Sequence, residues 1–263
     1  MIDLNLSGKT AIVCGSSQGI GRAAAMELAA LGANIILIAR NGDALKLVSE
    51  QLPATDSQKH RYLAADFDHP EELKIKLHSF LEKIHEVHIL VNNTGGPAPG
   101  PANEAHEDEF RIAFNRHLIC NHILMQAVLP KMKAEGYGRI INVISTSVKQ
   151  PIPNLGVSNT IRAAVANWAK TLAGELGKYG ITVNNVLPGA TYTGRLQSII
   201  SNNANKKHIE LDDAEKDMLK EIPAGRFAAP EEVAYAIAFL ASPSAGYING
   251  INIPVDGGRT ANL

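Results

Sequence analysis

The chain has 263 residues, 45% of them apolar and 19% charged, with a net charge of −1 and a pI near 6.8. This is enough apolar material for one large α/β domain, and it gives no excess of basic residues for nucleic acid. No run of about 18 apolar residues is present to span a membrane. Met1 to Val13 has no basic segment ahead of its apolar one, so no signal peptide is expected. Cys14 and Cys120 both sit in apolar stretches, so buried thiols in a reducing cytoplasm are expected rather than a disulfide framework.

Thr10 to Cys14 is a short apolar run that predicts a buried strand, followed by a glycine turn and a helix over Arg22 to Leu31, closed by Gly32. Ala33 to Ala39 predicts the second strand and Asp43 to Gln51 a helix. Arg61 to Asp66 predicts the third strand, and a helix starting near Pro70 with Glu71 and Glu72 in its first turn runs to about His85. Val87 to Asn92 predicts the fourth strand, and Pro97 to Pro101 a loop. Glu107 to Gly136 reads as one long helix with a break near Pro130. Gly138 to Ser145 predicts the fifth strand, Asn154 to Leu176 a helix, and Gly180 to Leu187 the sixth strand. Residues 190 to 222 have no strand character, with a weak helical pattern over Ser201 to Leu219, and read as a solvated surface helix or a mobile substrate lid. Pro230 to Ala241 predicts a helix and Tyr247 to Val255 a last strand. Strict alternation of strand and helix implies an α/β fold: a doubly wound parallel β-sheet with helices on both faces, one domain over residues 1–263. In such a sheet ligands bind at the carboxyl ends of the strands.

The glycine turn carries the first functional signal. Strand, glycine turn, helix is a geometry that grips a phosphate, because the helix N-terminus presents free N–H groups and the positive dipole end. In Gly15-Ser16-Ser17-Gln18-Gly19-Ile20-Gly21, Gly15 allows the turn and Gly19 clears room for a pyrophosphate. Gly21 lets helix and strand pack closely. Ser17, Gln18 and Ile20 belong to the same turn. The spacing is G-x-x-x-G-x-G rather than G-x-G-x-x-G. At the second strand end stands Ala39-Arg40, with no acid to bond a ribose 2′-hydroxyl. A guanidinium there suits a 2′-phosphate, so NADP(H) is expected over NAD(H).

Taken in order, these motifs resemble the short-chain dehydrogenase/reductases, in the subgroup of 3-oxoacyl-[acyl carrier protein] reductases. The Gly15 to Gly21 loop, Asn92-Asn93-Thr94-Gly95 (with Thr in place of the family's Ala), Pro188-Gly189 followed by Thr191 and Thr193, Gly225-Arg226-Phe227 and the ending Tyr247 to Gly258 carry the resemblance over essentially the whole chain. It implies a Rossmann fold and a cytoplasmic homotetramer or homodimer. It also implies hydride transfer between the dinucleotide and a small or acyl-thioester substrate, with no metal. Asp66 then accepts from the adenine amino group, Asn93 ties strand ends together, and Gly95, Pro188, Gly189, Thr191 and Thr193 line the cofactor.

The catalytic positions depart from the family. Its tetrad is Asn, Ser, Tyr and Lys. Aligned on the fifth strand, the Ser falls on Ser145, the Tyr on Ser158 and the Lys on Arg162. The Asn falls on His117. A serine hydroxyl is a far weaker acid than a tuned tyrosine, and Arg162 cannot cycle its proton, although it can fork onto ribose hydroxyls. His117 titrates in the useful range, and Tyr192 is a second group that could reach the site. Three readings follow: an NADP(H)-dependent carbonyl reductase with a modified centre, a dinucleotide-binding homologue with little or no ketoreductase activity, or a reductase of an activated C=C bond.

Overall fold

The computed structural model describes residues 1–262. Seven parallel strands form one sheet in the order β3-β2-β1-β4-β5-β6-β7. These are β1 (Thr10–Cys14), β2 (Asn34–Ala39), β3 (Arg61–Ala64), β4 (Ile89–Asn92), β5 (Gly138–Val143), β6 (Ile181–Pro188) and β7 (Asn252–Val255). The strands alternate strictly between the two faces, as a period of two requires. Ala11, Val13, Ile35 and Leu37 face one core, and Ile12, Cys14, Ile36 and Ile38 face the other. Both faces are covered, which is why β1 and β2 are almost wholly apolar.

The first core is closed by α1 (Gly19–Ala30), α2 (Gly42–Gln51) and α9 (Pro230–Ala241). The second is closed by α3 (Pro70–Leu81), α5 (Cys120–Glu135) and α6 (Gly156–Leu176). Cys14 and Cys120 are both buried and unpaired, and burial pushes the Cys120 thiol up to about 12. No helix among the described residues is long and apolar enough to cross a membrane.

Four asparagines form a rung across the second face. Asn92, Asn142, Asn185 and Asn252 stand in register on β4, β5, β6 and β7. Each amide donates to the next: Asn92 Nδ2 to Asn142 Oδ1 at 2.9 Å, Asn142 Nδ2 to Asn185 Oδ1 at 2.9 Å, and Asn185 Nδ2 to Asn252 Oδ1 at 2.8 Å. A one-residue slip of any strand would break the rung and bury unpaired amides, so it fixes register where the strand sequences alone are nearly featureless.

Some expected elements differ or are sharpened. The break in the long helix falls not at Pro130, which lies inside α5, but at a π-helical turn, Asn115–Ile119, between α4 (Glu107–Phe114) and α5. The third helix stops at Leu81, short of His85. Residues 190 to 222 hold two helices, α7 (Gly194–Lys207) and α8 (Leu211–Leu219), packed on a small core of their own around Leu196, Ile200, Ala204 and Ala214. The last strand begins at Asn252 rather than Tyr247, whose side chain is fully exposed.

Candidate active site

The strand order reverses between β1 and β4, and a cavity of about 1070 Å³ opens at the carboxyl ends there. Its floor on one side is the glycine turn. Gly15 has φ +61° and Gly19 φ +56°, conformations that L side chains rarely adopt. A Cβ on Gly15 would lie 2.5 Å from the Asn93 carbonyl oxygen, and one on Gly21 would lie 2.3 Å from the Gly15 carbonyl oxygen. Gly21 is therefore a packing position and does not line the cavity, whereas Gly15, Ser17, Gln18, Gly19 and Ile20 do. The Gln18 side chain does not cap α1, and no acid occupies its first turn. The N-terminal N–H groups are left for an anion.

Asn93 Nδ2 donates to the Cys14 carbonyl at 3.2 Å and lies 3.4 Å from that of Gly15, so the end of β4 is tied to the end of β1. Arg40 lies exposed on the cavity rim just past β2. Asp66 lines the cavity half-buried beyond β3, where one carboxylate oxygen accepts from Asp68 N at 3.0 Å. Gly95 borders the opening. Pro188 and Gly189 end β6, and a Cβ on Gly189 would lie 2.7 Å from the Asp256 Cα. Thr193 caps α7 by accepting from Leu196 N, and its methyl lies 3.3 Å from where a Gly19 Cβ would be. Thr191 is buried and donates to the Gly189 carbonyl at 3.2 Å. The residues present therefore fit a dinucleotide: a turn cleared of side chains, an uncapped helix start and a cation at the end of β2.

On the other side of the cavity stand Ser145, Ser158 and Arg162. Ser145 caps the 3₁₀ turn Thr146–Val148 by accepting from Ser147 N at 3.1 Å. Ser158 and Arg162 lie one turn apart on the buried face of α6, and both line the cavity. The fork of Arg162 does not point freely outward. Its Nη1 donates to the Val143 carbonyl at 3.1 Å and its Nη2 to the Thr94 carbonyl at 3.3 Å, which straps β5 to the loop after β4. Burial, then the charge of Arg195, pulls Arg162 down to about 10.

His117 sits on the π-helical turn, buried, and does not line the cavity. Its Nδ1 lies 2.6 Å from Thr94 Oγ1, and its Nε2 has no partner among the described residues. Burial, then the charges of Arg162, Arg116 and Arg195, pulls its pKa down to about 2. A ring so depressed stays neutral and is no reservoir of protons at ordinary pH. Thr94, His117 and Arg162 thus form one connected group. Tyr192 borders the cavity, half of its side chain exposed.

Arg195 was not legible from motif spacing. It lies in the first turn of α7, where the helix dipole opposes a cation, and that misplacement is the signal that finds it. Its Nη1 donates to the Gly96 carbonyl at 2.8 Å and its Nη2 to that of Pro97 at 3.0 Å, joining α7 to the loop after β4. Outside the cavity, Glu86, His88 and Glu135 converge. His88 Nδ1 accepts from Thr10 N at 3.1 Å, so the neutral ring carries its proton on Nε2 and has no lone pair there for a metal.

Residues 15–260 match a family model described as enoyl-(acyl carrier protein) reductase. The chain is 31% identical over 261 residues to the 7alpha-hydroxysteroid dehydrogenase of Escherichia coli (strain K12), covering 99% of this chain and 98% of that one. It is 34% identical over 257 residues to the 3-oxoacyl-[acyl-carrier-protein] reductase FabG of Vibrio harveyi, covering 97% and 98%. The fold superposes on the L-sorbose reductase of Gluconobacter frateurii, solved with NADPH and L-sorbose, with a TM-score of 0.92 at 31% identity over 99% of this chain and 100% of the other. With its seven-stranded sheet, its glycine turn and matches of this extent, the chain belongs to the short-chain dehydrogenase/reductase family of oxidoreductases.

Proposed function

We propose that the protein is an NADP(H)-dependent oxidoreductase that reduces a carbonyl, a 3-oxoacyl thioester or related ketone, through a modified centre. The observation that carries this reading is the preserved dinucleotide cradle, the Gly15–Gly21 turn with Arg40 beside it, opening into the same cavity as Ser145, Ser158 and Arg162. The NADPH held by the L-sorbose reductase supports the choice of cofactor. When bound, the dinucleotide supplies the hydride. The α1 N-terminus takes its pyrophosphate, Arg40 its 2′-phosphate and Asp66 its adenine amino group. Asn93, Gly95, Pro188, Gly189, Thr191 and Thr193 hold the nicotinamide end.

Ser145 and Ser158 donate hydrogen bonds to the substrate oxygen, and Arg162 supplies positive charge beside it. None of these is a tuned general acid, so water or a ribose hydroxyl completes the protonation. The α7–α8 pair opens and closes over the substrate as a lid, and the protein works as a homodimer or homotetramer. A cytoplasmic location accords with the two unpaired thiols.

A second reading is favoured by one observation. His117 is held neutral and the Arg162 fork is engaged by two carbonyls, so the cavity offers little acid. Hydride addition to an activated C=C bond makes a smaller demand on a general acid, and the matched family model is that of an enoyl reductase. NADPH binding, followed by NADPH oxidation with matched ketones and conjugated enones, each with and without a carboxylate, tests both. Oxidation with ketones supports the first reading, oxidation with enones alone supports the second, and binding without oxidation identifies a dinucleotide-binding protein without reductase activity.

A further inference from the structure

Six cationic side chains border the cavity: Arg40, Arg116, Arg162, Arg195, Lys207 and Arg259. Three have carboxylate partners, Arg116 with Asp68, Lys207 with Asp217 and Arg259 with Glu221. Among the described residues, Arg40, Arg162 and Arg195 have none. Arg40 lies at the ribose end. The other two lie elsewhere and turn onto the same short loop, Arg162 at Thr94, Arg195 at Gly96 and Pro97.

The case for Arg162 is one of uncompensated charge. It is 7% exposed, and its Nε is buried without a partner. Burying a guanidinium without a counter-charge is costly, and two backbone carbonyls neutralise none of it. Each guanidinium has five N–H donors, of which each of these arginines uses two on carbonyls. The cofactor's pyrophosphate does not answer this charge. The glycine turn follows β1, whereas Arg162 is held at the ends of β4 and β5, one and two strands away, about 5 to 10 Å by strand spacing alone.

We propose that the substrate carries its own carboxylate, bound between Arg162 and Arg195 against the Thr94–Pro97 loop. The substrate class is then a small oxo acid or unsaturated acid rather than a neutral ketone. Planar guanidinium forks match a carboxylate in shape and charge. Because Arg195 belongs to α7, the same carboxylate links the α7–α8 pair to the substrate. This rests on the hydride-transfer reading above, which places the substrate in this half of the cavity.

The test is calorimetric titration of the protein saturated with NADP⁺, using two matched pairs, 2-oxobutanoate with its methyl ester and 4-oxopentanoate with its methyl ester. At least one acid should bind about tenfold or more tightly than its ester. Arg195→Gln should abolish the preference and Arg195→Lys should restore part of it. Esters binding as tightly as both acids, or a preference that survives Arg195→Gln, overturns the proposal. NADPH titration of the wild type and of Arg195→Gln separates the sources of the anion. Loss of the acid preference with NADPH affinity unchanged supports the assignment, whereas a matching loss of NADPH affinity gives Arg195 to the cofactor and overturns it. NADPH binding is measured separately: a protein that binds none, yet still prefers acid to ester, loses the hydride-transfer reading and keeps the carboxylate site.

Discussion

At Arg40 the question is which dinucleotide enters. Its guanidinium stands on the rim with no acid beside it to repel a phosphate. Removing one charge-assisted phosphate pair costs about 1.5 to 3 kcal/mol. Arg40→Ala is therefore expected to weaken NADPH about tenfold to a hundredfold in a binding titration while leaving NADH nearly unchanged. NADH binding as tightly as NADPH to the wild type would remove the case for Arg40. His117 makes a prediction of a different kind. Its folded pKa of about 2 lies below the unfolded value near 6.5. The unfolded chain therefore takes up the proton first, and stability falls as the pH drops below 6.5. At about 1.4 kcal/mol per pH unit this single ring contributes a loss of about 2 kcal/mol between pH 6.5 and 5. Denaturant titrations across that range should show the loss, and His117→Asn should reduce it, leaving the contribution of His88, also lowered by burial. The positions of Ser145, Ser158 and Arg162 in the cavity were readable from the strand and helix around them. What Arg162 does with its fork was not, because the carbonyls of Val143 and Thr94 are distant in the chain. The His117–Thr94 pair was hidden for the same reason.

Single elements show why some parts of the fold were legible and others not. The strands β1 and β2 and the helix α9 stood out because apolar runs bounded by glycine, or a proline at a helix start, are local signals. The π-helical turn was not legible: Pro130 is a visible helix breaker, yet α5 absorbs it, while the real irregularity at Asn115–Ile119 has no marker in composition. The asparagine rung escaped notice too, since each Asn by itself reads as a turn residue. It makes a sharp prediction. Asn142→Leu strands the Asn92 amide and the Asn185 oxygen inside the sheet, at about 1 to 3 kcal/mol each. A loss of about 2 to 6 kcal/mol is expected in denaturant unfolding, and no loss would mean that the rung holds nothing. In the glycine turn, Gly21→Ala forces α1 away from Gly15, an overpacking cost of about 1 to 3 kcal/mol. It should weaken dinucleotide binding although Gly21 does not touch the cavity.

For the whole molecule, exposed apolar side chains are spread over the surface, and neighbouring pairs of them mark two faces: Ile112 and Phe114 on α4 beside α6, and Tyr247 and Ile251 ahead of β7. Two such faces suit closed symmetric assembly, and light scattering at micromolar concentration is expected to give a dimer or tetramer rather than a monomer. The larger claim is the proposed one that joins the two halves of the cavity: a dinucleotide cradle working beside a modified centre of Ser145, Ser158 and Arg162. Steady-state NADPH oxidation by the wild-type protein, with 3-oxoacyl thioesters, simple ketones, small oxo acids, conjugated enones and enoic acids as acceptors, tests it most directly. The account predicts turnover with at least one acceptor. Ketone rates should lie about 10²- to 10⁴-fold below those of family members that keep the tyrosine and lysine, the usual loss for a missing general acid. No oxidation with any acceptor at saturating NADPH, or ketone rates equal to those of such members, would contradict it.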